Sequence, residues 1–410
     1  MDQRKLHKTI ETIASQKFAT EEEMLITVLN EIVSDKTMDI TGGRVWKLKP
    51  EVAGYRLLYQ TGKVDKIAQD FIIKLNDYPV FEKLSAARTI LGHETNEELR
   101  KKGIFKYSAS GVGYKIKIKD RPYYEYVLAL NSSHIDEELR LKLNIIATAL
   151  TSQIKQRRLS LSASNLKADI DKARELQKSI LPEHEYKFHH FDIYGITVPA
   201  DIVGGDFFDY LEIGDDRERI GVALGDAASK GVAAAAEAMY ISGALRMASN
   251  FEIKISPLMK RMNRLVNKIF EDDKFSSLFY GELSTDRNGL FLYANAGHNP
   301  PIFYRALNNK VEMLQPTGPV LGPSPEASYF IESINIRLND ILVIYSDGVV
   351  ESSNNKEVFY EEHRLVNLIK KVKDKTPKEI VYAILDDVIK FSKGGVYQDD
   401  KTLVVIKRTS

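Results

Sequence analysis

Four segments of this sequence place aspartates where an apolar, strand-like run begins or ends. These aspartates are Asp206 and Asp209 in the stretch D-I-V-G-G-D-F-F-D-Y, Asp226 and Asp347 at the ends of two apolar runs, and the pair Asp399-Asp400 before a third. Two glycines precede Asp206, so the backbone there can turn tightly and leave room for a bulky neighbour. A fold that gathers these strand ends would place several carboxylates around one cleft.

Carboxylates gathered in this way are suited to hold hard divalent cations. Two or three of them within a few ångströms repel one another strongly, and a divalent cation relieves that repulsion. Sites made only of oxygen ligands select Mg²⁺ or Mn²⁺ over zinc or copper. Two such ions roughly 3.5–4 Å apart can generate hydroxide from bound water and stabilise an in-line displacement at phosphorus. This chemistry needs no protein nucleophile, in keeping with a chain that has no cysteine.

Each aspartate also has a purely structural interpretation. The Ser-Asp-Gly sequence around Asp347 is a good turn signal by itself. Asp226 can cap a helix predicted to begin near Gly231, and Asp209 can pair with a lysine at the surface. For any single acid the structural interpretation is the more common one, but four acids at strand ends together favour the metal site.

Composition excludes several classes of protein. The chain has 410 residues, with 58 Lys and Arg against 57 Asp and Glu, and a net charge of +1. This balance offers no electrostatic footprint for nucleic acid or an anionic membrane. The lack of cysteine excludes disulfides, thiolate zinc sites and a cysteine nucleophile. No signal-peptide core or long apolar window is present, so we expect a soluble, cytoplasmic protein of two or three domains.

Residues 1–150 have the pattern of an α+β domain. Helices are predicted at 4–15, 20–34, 82–89 and 96–102, strands at 45–48, 55–60, 113–118 and 123–130, and a long amphipathic helix from about 135. This element order resembles a GAF-type sensor domain, with a PAS-type domain as the alternative. No motif names a ligand; Trp46 is expected to be a core residue, and lining a pocket is its second possible role.

Residues 151–185 are predicted to form a helical linker. No glycine or proline occurs between 150 and 181, and apolar residues recur at steps of three and four: Leu159, Ala163, Leu166, Ile170, Ala173, Leu176 and Ile180. This spacing is typical of a coiled-coil seam with one stutter, so we predict a parallel homodimer. The alternative is a single helix that packs on a flanking domain.

Residues 186–410 alternate bunches of short strands with pairs of helices. Helices are predicted at 231–249, from Ser256-Pro257, and from Thr376-Pro377, with Ser256 and Thr376 as N-caps. Glu379 completes a capping box with Thr376. Bunched strands with paired helices favour an α/β/β/α sandwich of mostly antiparallel sheets, so the whole chain is assigned to the α+β class.

The motifs of this C-terminal region resemble those of one phosphatase family. They are V-G-G-D-F-F-D at 203–209, G-D…K-G at 225–231, N-A-G-H-N-P-P at 295–301, S-D-G-V-V-E at 346–351 and D-D-K-T at 399–402, preceded by E-L-Q-K-S-I-L-P at 175–182. In order and spacing they resemble the SpoIIE/RsbU-type branch of metal-dependent serine/threonine phosphatases, the PPM family.

The resemblance implies a particular ligand set. Asp226 would bridge two Mn²⁺ or Mg²⁺ ions, the carbonyl of Ala227 would ligate one of them, and Asp347 and Asp399 would complete the site. Asp206 would bind metal directly or hold a coordinated water. Asp400 is the less favoured member of its pair. A metal-bound hydroxide would then attack a phosphoserine or phosphothreonine.

The family also implies a partner and a form of regulation. The substrate would be a phosphorylated STAS-type anti-sigma-factor antagonist, and the N-terminal domain would sense an unidentified ligand or partner. Two alternatives stay open, a non-catalytic docking protein with the phosphatase fold and a hydrolase of small phosphoesters. The chain keeps every ligand acid, which favours an enzyme.

Three residues raise separate questions. Ser229 stands where the family commonly has glycine, so a positive φ there would strain the turn after Asp226. Tyr360 stands in place of another glycine and puts the following loop in doubt. His298 can act as a general acid, but we expect it instead to anchor the turn before Pro300-Pro301 by side-chain hydrogen bonds.

Overall fold

The computed structural model describes residues 3–35, 39–63, 65–94, 97–101, 105–132, 134–214, 218–270, 275–395 and 399–410. The chain divides into two compact units, Met1–Asn165 and Leu166–Ser410. Helix α5, Glu137–Ile180, begins in the first unit and ends in the second. In the part of the chain that is described, no helix is both long and apolar enough to cross a bilayer.

The N-terminal unit is built on one antiparallel sheet of six strands. The strands are β1 Ile40–Lys49, β2 Gly54–Gly62, β3 Ile72–Lys74, β4 Thr89–His93, β5 Lys106–Ile118 and β6 Arg121–Ser132, in the order β3-β2-β1-β6-β5-β4. The helices are α1 Gln3–Ser15, α2 Glu21–Ser34, α3 Val80–Ala87, α4 Glu97–Lys101 and the first part of α5. The predicted helices and strands are present, apart from the ends of the 96–102 prediction, which lie outside the described residues. Strands β3 and β4 were not predicted.

Each face of this sheet buries its own apolar cluster. One cluster joins the sheet to α1, α2 and α5 through residues such as Leu25, Val45 and Leu143. The other lies on the α3 side and contains Trp46 and Phe81. Alternate residues of a strand point to opposite faces, which is why neighbours such as Val45 and Trp46 enter different clusters. The GAF-like assignment of this unit stays a prediction.

The C-terminal unit contains two antiparallel sheets. One has the order β15-β12-β11-β10-β9 and the other β14-β13-β16-β17-β8-β7. The strands are β7 Glu185–Phe188, β8 Phe191–Val198, β9 Asp206–Ile213, β10 Arg219–Ala227, β11 Ser276–Ser284, β12 Leu290–Ala296, β13 Ile302–Arg305, β14 Lys310–Met313, β15 Glu332–Asn335, β16 Ile341–Tyr345 and β17 Lys401–Arg408.

The packing of this unit has four layers, as predicted. A central cluster that includes Phe208, Phe279, Ile344 and Val404 lies between the two sheets. Helices α6 Gly231–Ser249 and α7 Ile255–Ile269 cover the outer face of the first sheet. Helices α9 Glu362–Val372 and α10 Pro377–Phe391 cover the second. The one-turn helix α8, Asp347–Val350, follows β16.

The two predicted helix caps have different outcomes. Thr376 forms the capping box with Glu379 at the start of α10. The prediction for Ser256 is wrong, because α7 begins at Ile255, two residues before Pro257, and its N-cap position is Lys254. The Ser256 hydroxyl donates to the carbonyl of Tyr329 instead. Proline is tolerated within the first turn, where its missing N–H is not needed, so Pro257 does not define the first residue of the helix.

Candidate metal centre

Asp206 and Asp226 face each other across two neighbouring strands. Asp206 is the first residue of β9, Asp226 lies near the end of β10, and the two are cross-strand partners in the antiparallel pair. Directly opposed residues of such a pair project from the same face with their Cβ atoms about 5 Å apart. Asp206 is only 1% exposed, and its Oδ2 has no hydrogen-bond partner among the described residues.

The second pair of acids comes from the other sheet. Asp347 follows β16 and Asp399 precedes β17, and these strands are paired up to Tyr345 and Leu403. The buried Ser346 hydroxyl donates to the carbonyl of Asp400 and accepts the N–H of Thr402. Ser346 thereby holds the start of α8 against the segment that carries Asp399.

Asp400 connects the two sheets at this end of the sandwich. Its carboxylate accepts the backbone N–H of Gly205 at 2.6 Å, of Asp206 at 3.3 Å and of Ala200 at 2.8 Å. Charged hydrogen bonds of this kind are roughly twice as strong as neutral ones. Asp399 has partners of its own: its Oδ1 accepts the backbone N–H of Asp400 at 2.9 Å, and its Oδ2 lies 3.9 Å from Lys230 Nζ. The preference for Asp399 over Asp400 as a metal ligand stays a prediction.

The glycine pair makes this contact possible. A Cβ atom on Gly204 would lie 2.1 Å from Asp400 Oδ2, and one on Gly205 would lie 2.9 Å from the carbonyl oxygen of Ala227. The room predicted beside Asp206 is therefore occupied by the Asp400 side chain. A Cβ on Gly348 would lie 2.1 Å from the Asp400 carbonyl oxygen, so that glycine is also required by a close approach.

The electrostatics of the cluster favour a bound cation. Burial, followed by the charge of Asp226, raises the pKa of Asp206 well above its usual range. Burial and then the charges of Asp347 and Asp399 raise the pKa of Asp226 to about 7. Burial, followed by Glu351 and Asp399, raises the pKa of Asp347 to about 6. A divalent cation among these groups would favour their ionised forms.

In the described part of the chain, no group of three or more histidine, cysteine or acidic side chains is placed so that it could hold a metal ion. This is compatible with Mg²⁺, which usually keeps several waters and takes only one or two carboxylates from the protein. Ala227 is buried, and its carbonyl lies beside Gly205. Positive charge borders the site, since Lys230 Nζ lies 3.9 Å from Asp399 Oδ2.

His298 anchors a turn and remains neutral. Its backbone N–H donates to Asn295 Oδ1 at 2.7 Å, and Asn295 Nδ2 donates to its carbonyl. The ring Nδ1 lies 2.7 Å from the hydroxyl of Ser277, the cross-strand partner of Asp226. Burial lowers the pKa of His298 to about 4. The hydrogen bonds that close the turn therefore come from the Asn295 side chain and the His298 backbone, whereas the His298 side chain contacts Ser277 of β11 instead of making the predicted bonds to the turn.

Neither departure from the family pattern strains the site. Ser229 does not adopt a positive φ, so the expected strain is absent; the positive φ of this turn, +65°, falls on Gly231. The Ser229 hydroxyl donates to Glu237. Tyr360 is buried, donates its hydroxyl to Asp387, and packs edge-on against Phe391, so the loop in question is held by its own side chain.

Two functional contacts were missed from the sequence. The side-chain amide of Gln177, near the end of α5, donates to the carbonyl of Gly204 and accepts its N–H, two residues before Asp206. The buried Asp209 pairs with Arg246 of α6, at 2.5 and 3.0 Å, rather than with a surface lysine. Arg246 also donates to the carbonyl of Ile180. Gln177 lies within the lead-in motif, but nothing in the sequence indicated its partner.

Comparison with known proteins first defines the class. The chain contains the fold of PP2C phosphatases: it matches the solved SiaA-PP2C domain of Pseudomonas aeruginosa with a TM-score of 0.51 and 15% identity, covering 60% of this chain and 98% of that domain. The family model described as Stage II sporulation protein E (SpoIIE) matches residues 216–409.

The sequence relatives then define the family. The chain is 30% identical over 243 residues to phosphoserine phosphatase RsbU of Bacillus subtilis, which covers 59% of this chain and 71% of RsbU. It therefore belongs to the SpoIIE/RsbU family of PPM-type serine/threonine phosphatases. It is also 24% identical over 383 residues to Protein IcfG of Synechocystis sp., covering 87% of this chain but only 55% of IcfG.

The close approach at Gly204 predicts a stability effect. Gly204→Ala would push the Asp400 carboxylate off its backbone donors, and we expect the free energy of unfolding to fall by about 2–3 kcal/mol. The matched control is Gly243→Ala, within α6, where an added Cβ meets nothing within 4 Å. Urea unfolding followed by circular dichroism measures both variants. Equal stability of Gly204→Ala and the native chain would contradict the proposed packing.

The Asp209–Arg246 ion pair predicts a second effect on the stability of the protein. Arg246→Gln would leave a buried carboxylate without its cation, and we expect a loss of roughly 2–3 kcal/mol of unfolding free energy. Arg264→Gln is the control, because Arg264 pairs with Glu326 at the surface, where such a change costs less than about 0.5 kcal/mol. The same urea titration compares them, and similar losses for both variants would refute a special role for Arg246.

Proposed function

We propose that this protein is a Mn²⁺- or Mg²⁺-dependent phosphatase that removes phosphate from phosphoserine or phosphothreonine on a regulatory protein. The observation that carries the proposal is the meeting of four acids from two sheets at one end of the sandwich. Asp206 opposes Asp226 on the first sheet. The second sheet contributes Asp347 and Asp399, and Asp400 ties the two sides together through backbone amides.

The residues present fit the implied metal ions. Asp206 has a buried carboxylate oxygen without a partner among the described residues. Burial and neighbouring negative charge raise the pKa values of Asp206, Asp226 and Asp347. Asp206, Asp226, the carbonyl of Ala227, Asp347 and Asp399 would hold two ions. When bound, such ions lower the pKa of a water and neutralise charge on a transferring phosphoryl group.

Other residues near the acids are assigned supporting roles: they position the site or attract the substrate. Asp400 holds the Gly204–Asp206 backbone in place and so positions Asp206. Lys230, which is exposed next to Asp399, is suited to attract the dianionic phosphate of a substrate. His298 is buried and neutral, so it is a support for the Asp226 strand through Ser277 and not a proton donor.

We assign the division of labour as follows: residues 1–150 as a GAF-like sensor domain, 151–185 as a helical linker, and 186–410 as the phosphatase domain. The relatives RsbU and RsbP are named phosphoserine phosphatases. By family resemblance the substrate is a phosphorylated STAS-type antagonist, and the sensor ligand controls the reaction. No nucleic-acid or membrane partner is proposed, and the cytoplasmic location stays a prediction.

The phosphatase proposal is tested with Asp226→Asn. We expect Mn²⁺-dependent phosphate release from a serine-phosphorylated STAS-type protein, and a loss of at least about 100-fold in the variant because a carboxylate that would hold the metal becomes a neutral amide. Asp201→Asn is the control, since Asp201 is an exposed aspartate in the loop between β8 and β9. Calorimetry with Mn²⁺ reports metal binding separately.

The outcomes distinguish the alternatives. Release from a small ester such as p-nitrophenyl phosphate, with none from the phosphoprotein, would favour a small-phosphoester hydrolase. Absence of both activities together with absence of Mn²⁺ binding would leave a non-catalytic docking protein. Full activity in Asp226→Asn would contradict the assigned site.

We further propose that α5 pairs with a second copy of the chain. Leu159 and Leu166 on the predicted seam are 67% and 63% exposed, and pairing would bury them. The double variant Leu159→Glu/Leu166→Glu is expected to convert a dimer to a monomer at micromolar concentration, measured by light scattering. Leu161→Glu is the control, because Leu161 is also exposed but lies off the seam. A monomeric native chain would refute the pairing.

A further inference from the structure

The N-terminal unit contains a cavity on the α3 side of its sheet. Among its lining residues are Arg44 and Trp46 of β1, Phe81 of α3 and Tyr107 of β5. Arg44, Ala129 and Ala109 are successive partners across β1, β6 and β5. Because the two neighbouring alanine side chains are small, they leave space above this part of the sheet, and the larger residues around them enclose that space.

Arg44 is a buried cation whose guanidinium contacts no carboxylate among the described residues, although the charge of Asp65 acts to raise its pKa. It is only 1% exposed, and it lies on β1, an inner strand of the sheet. Its guanidinium donates to Asn131 Oδ1 at 2.7 Å and to the carbonyl of Asp65 at 3.0 Å, while its Nε has no partner among the described residues. No ion pair of Arg44 occurs in the described part of the chain. Burial lowers the pKa of Arg44 to about 10.

An unpaired buried charge is costly for a fold to retain. Breaking a buried ion pair by removing one partner typically costs roughly 3–5 kcal/mol, and buried charges are almost always paired. Arginine matches a carboxylate with two parallel N–H donors. Arg44 lines the cavity, and a carboxylate bound there would accept the hydrogen bond that its Nε does not make to the described residues.

The other polar group of the cavity can hold a hydrogen-bonding substituent. The Tyr78 hydroxyl donates to the buried carboxylate of Glu94 and lies 3.3 Å from the hydroxyl of Tyr107. All three residues line the cavity. Glu94 follows β4, three strands from β1 in the sheet order, so Arg44 and this cluster approach the cavity from different sides.

The volume of the cavity limits the ligand. It holds about 50 Å³, and because one water needs roughly 10–15 Å³ on this scale, there is room for about three to five waters. A nucleotide is far larger than this space. A molecule of about four to six non-hydrogen atoms matches it.

We propose that this cavity binds a small organic acid, with its carboxylate on Arg44, its apolar body against Trp46 and Phe81, and any hydroxyl group toward Tyr78 and Glu94. The inference rests on the sensor role proposed above and supplies its ligand class. It does not depend on the phosphatase chemistry, so the two can be tested apart.

Trp46 makes binding directly observable, because it is the only tryptophan of the chain and lines the cavity. The experiment titrates the full chain with propionate, 3-hydroxypropionate and uncharged propionamide at constant ionic strength, recording tryptophan emission. We expect saturable changes with both acids and dissociation constants of about 0.1–10 mM, given the small number of ligand atoms. Propionamide has the shape of propionate without its charge and is expected to give no saturable change.

Two variants test the assigned contacts. Arg44→Gln is expected to weaken binding of both acids by at least about tenfold. The control Arg56→Gln removes the half-buried guanidinium of Arg56 on β2, which pairs with Asp70, and leaves binding unchanged. Because Arg44→Gln can also destabilise the unit, Ala129→Val keeps Arg44 and raises the cavity floor. It is expected to weaken both acids by at least about tenfold with an unchanged circular dichroism spectrum.

Three results would each overturn the proposal: no saturable response of the native chain to either acid, an equal response to propionamide, or undiminished binding in folded Ala129→Val. The readout involves no phosphoryl transfer. A failure here therefore leaves the phosphatase proposal standing, and loss of phosphatase activity would leave the binding result intact.

Discussion

The candidate metal centre depends on the carboxylate of Asp400. This side chain belongs to one sheet and accepts N–H groups from the loop and first strand of the other. The contact thus fixes the separation of the two sheets at the end where Asp206, Asp226, Asp347 and Asp399 lie. Glycine at 204 is a condition of it, because a side chain there would occupy the same space.

At the same end of the sandwich, hydrogen bonds and strand pairing hold several buried carboxylates that repel one another. Ser346, Asp400 and the cross-strand register hold the acids in place, while burial and mutual repulsion raise their pKa values. Such a cluster lowers the stability of the fold, and clusters of this kind are typically found at sites that bind a cation or carry out catalysis. The repelling carboxylates and the hydrogen bonds that hold them are therefore parts of one site.

The contacts at the end of α5 extend this frame. Gln177 bonds both backbone groups of Gly204, and Arg246 bridges Asp209 and the carbonyl of Ile180. The last turn of the helix is thereby attached to the loop before Asp206 and to α6. A change in that turn would reach the Asp206 backbone through two hydrogen bonds. In the N-terminal unit, the buried Arg44 presents a comparable case of a charge retained without its partner.

The sequence by itself determined the features that depend on local order. Strand-end aspartates, the Thr376 capping box, the glycine pair and the motif spacing could all be read directly, because turns, caps and strand periodicity involve residues close together in the chain. The four-layer sandwich also followed from the grouping of strands and helices. Family membership rested on the same short motifs, which were in the expected order.

Only the tertiary structure decided which distant groups meet. Asp400 and Gly205 are 195 residues apart, Asp209 and Arg246 are 37 apart, and Gln177 and Gly204 are 27 apart. Strand register and helix docking bring these pairs together, and no local pattern encodes them. The same reason explains why the sequence did not indicate Arg246 as the partner of Asp209 and why the cavity beside Arg44 could not be predicted. A cavity forms where small residues of different strands coincide, and that coincidence exists only in the folded sheet.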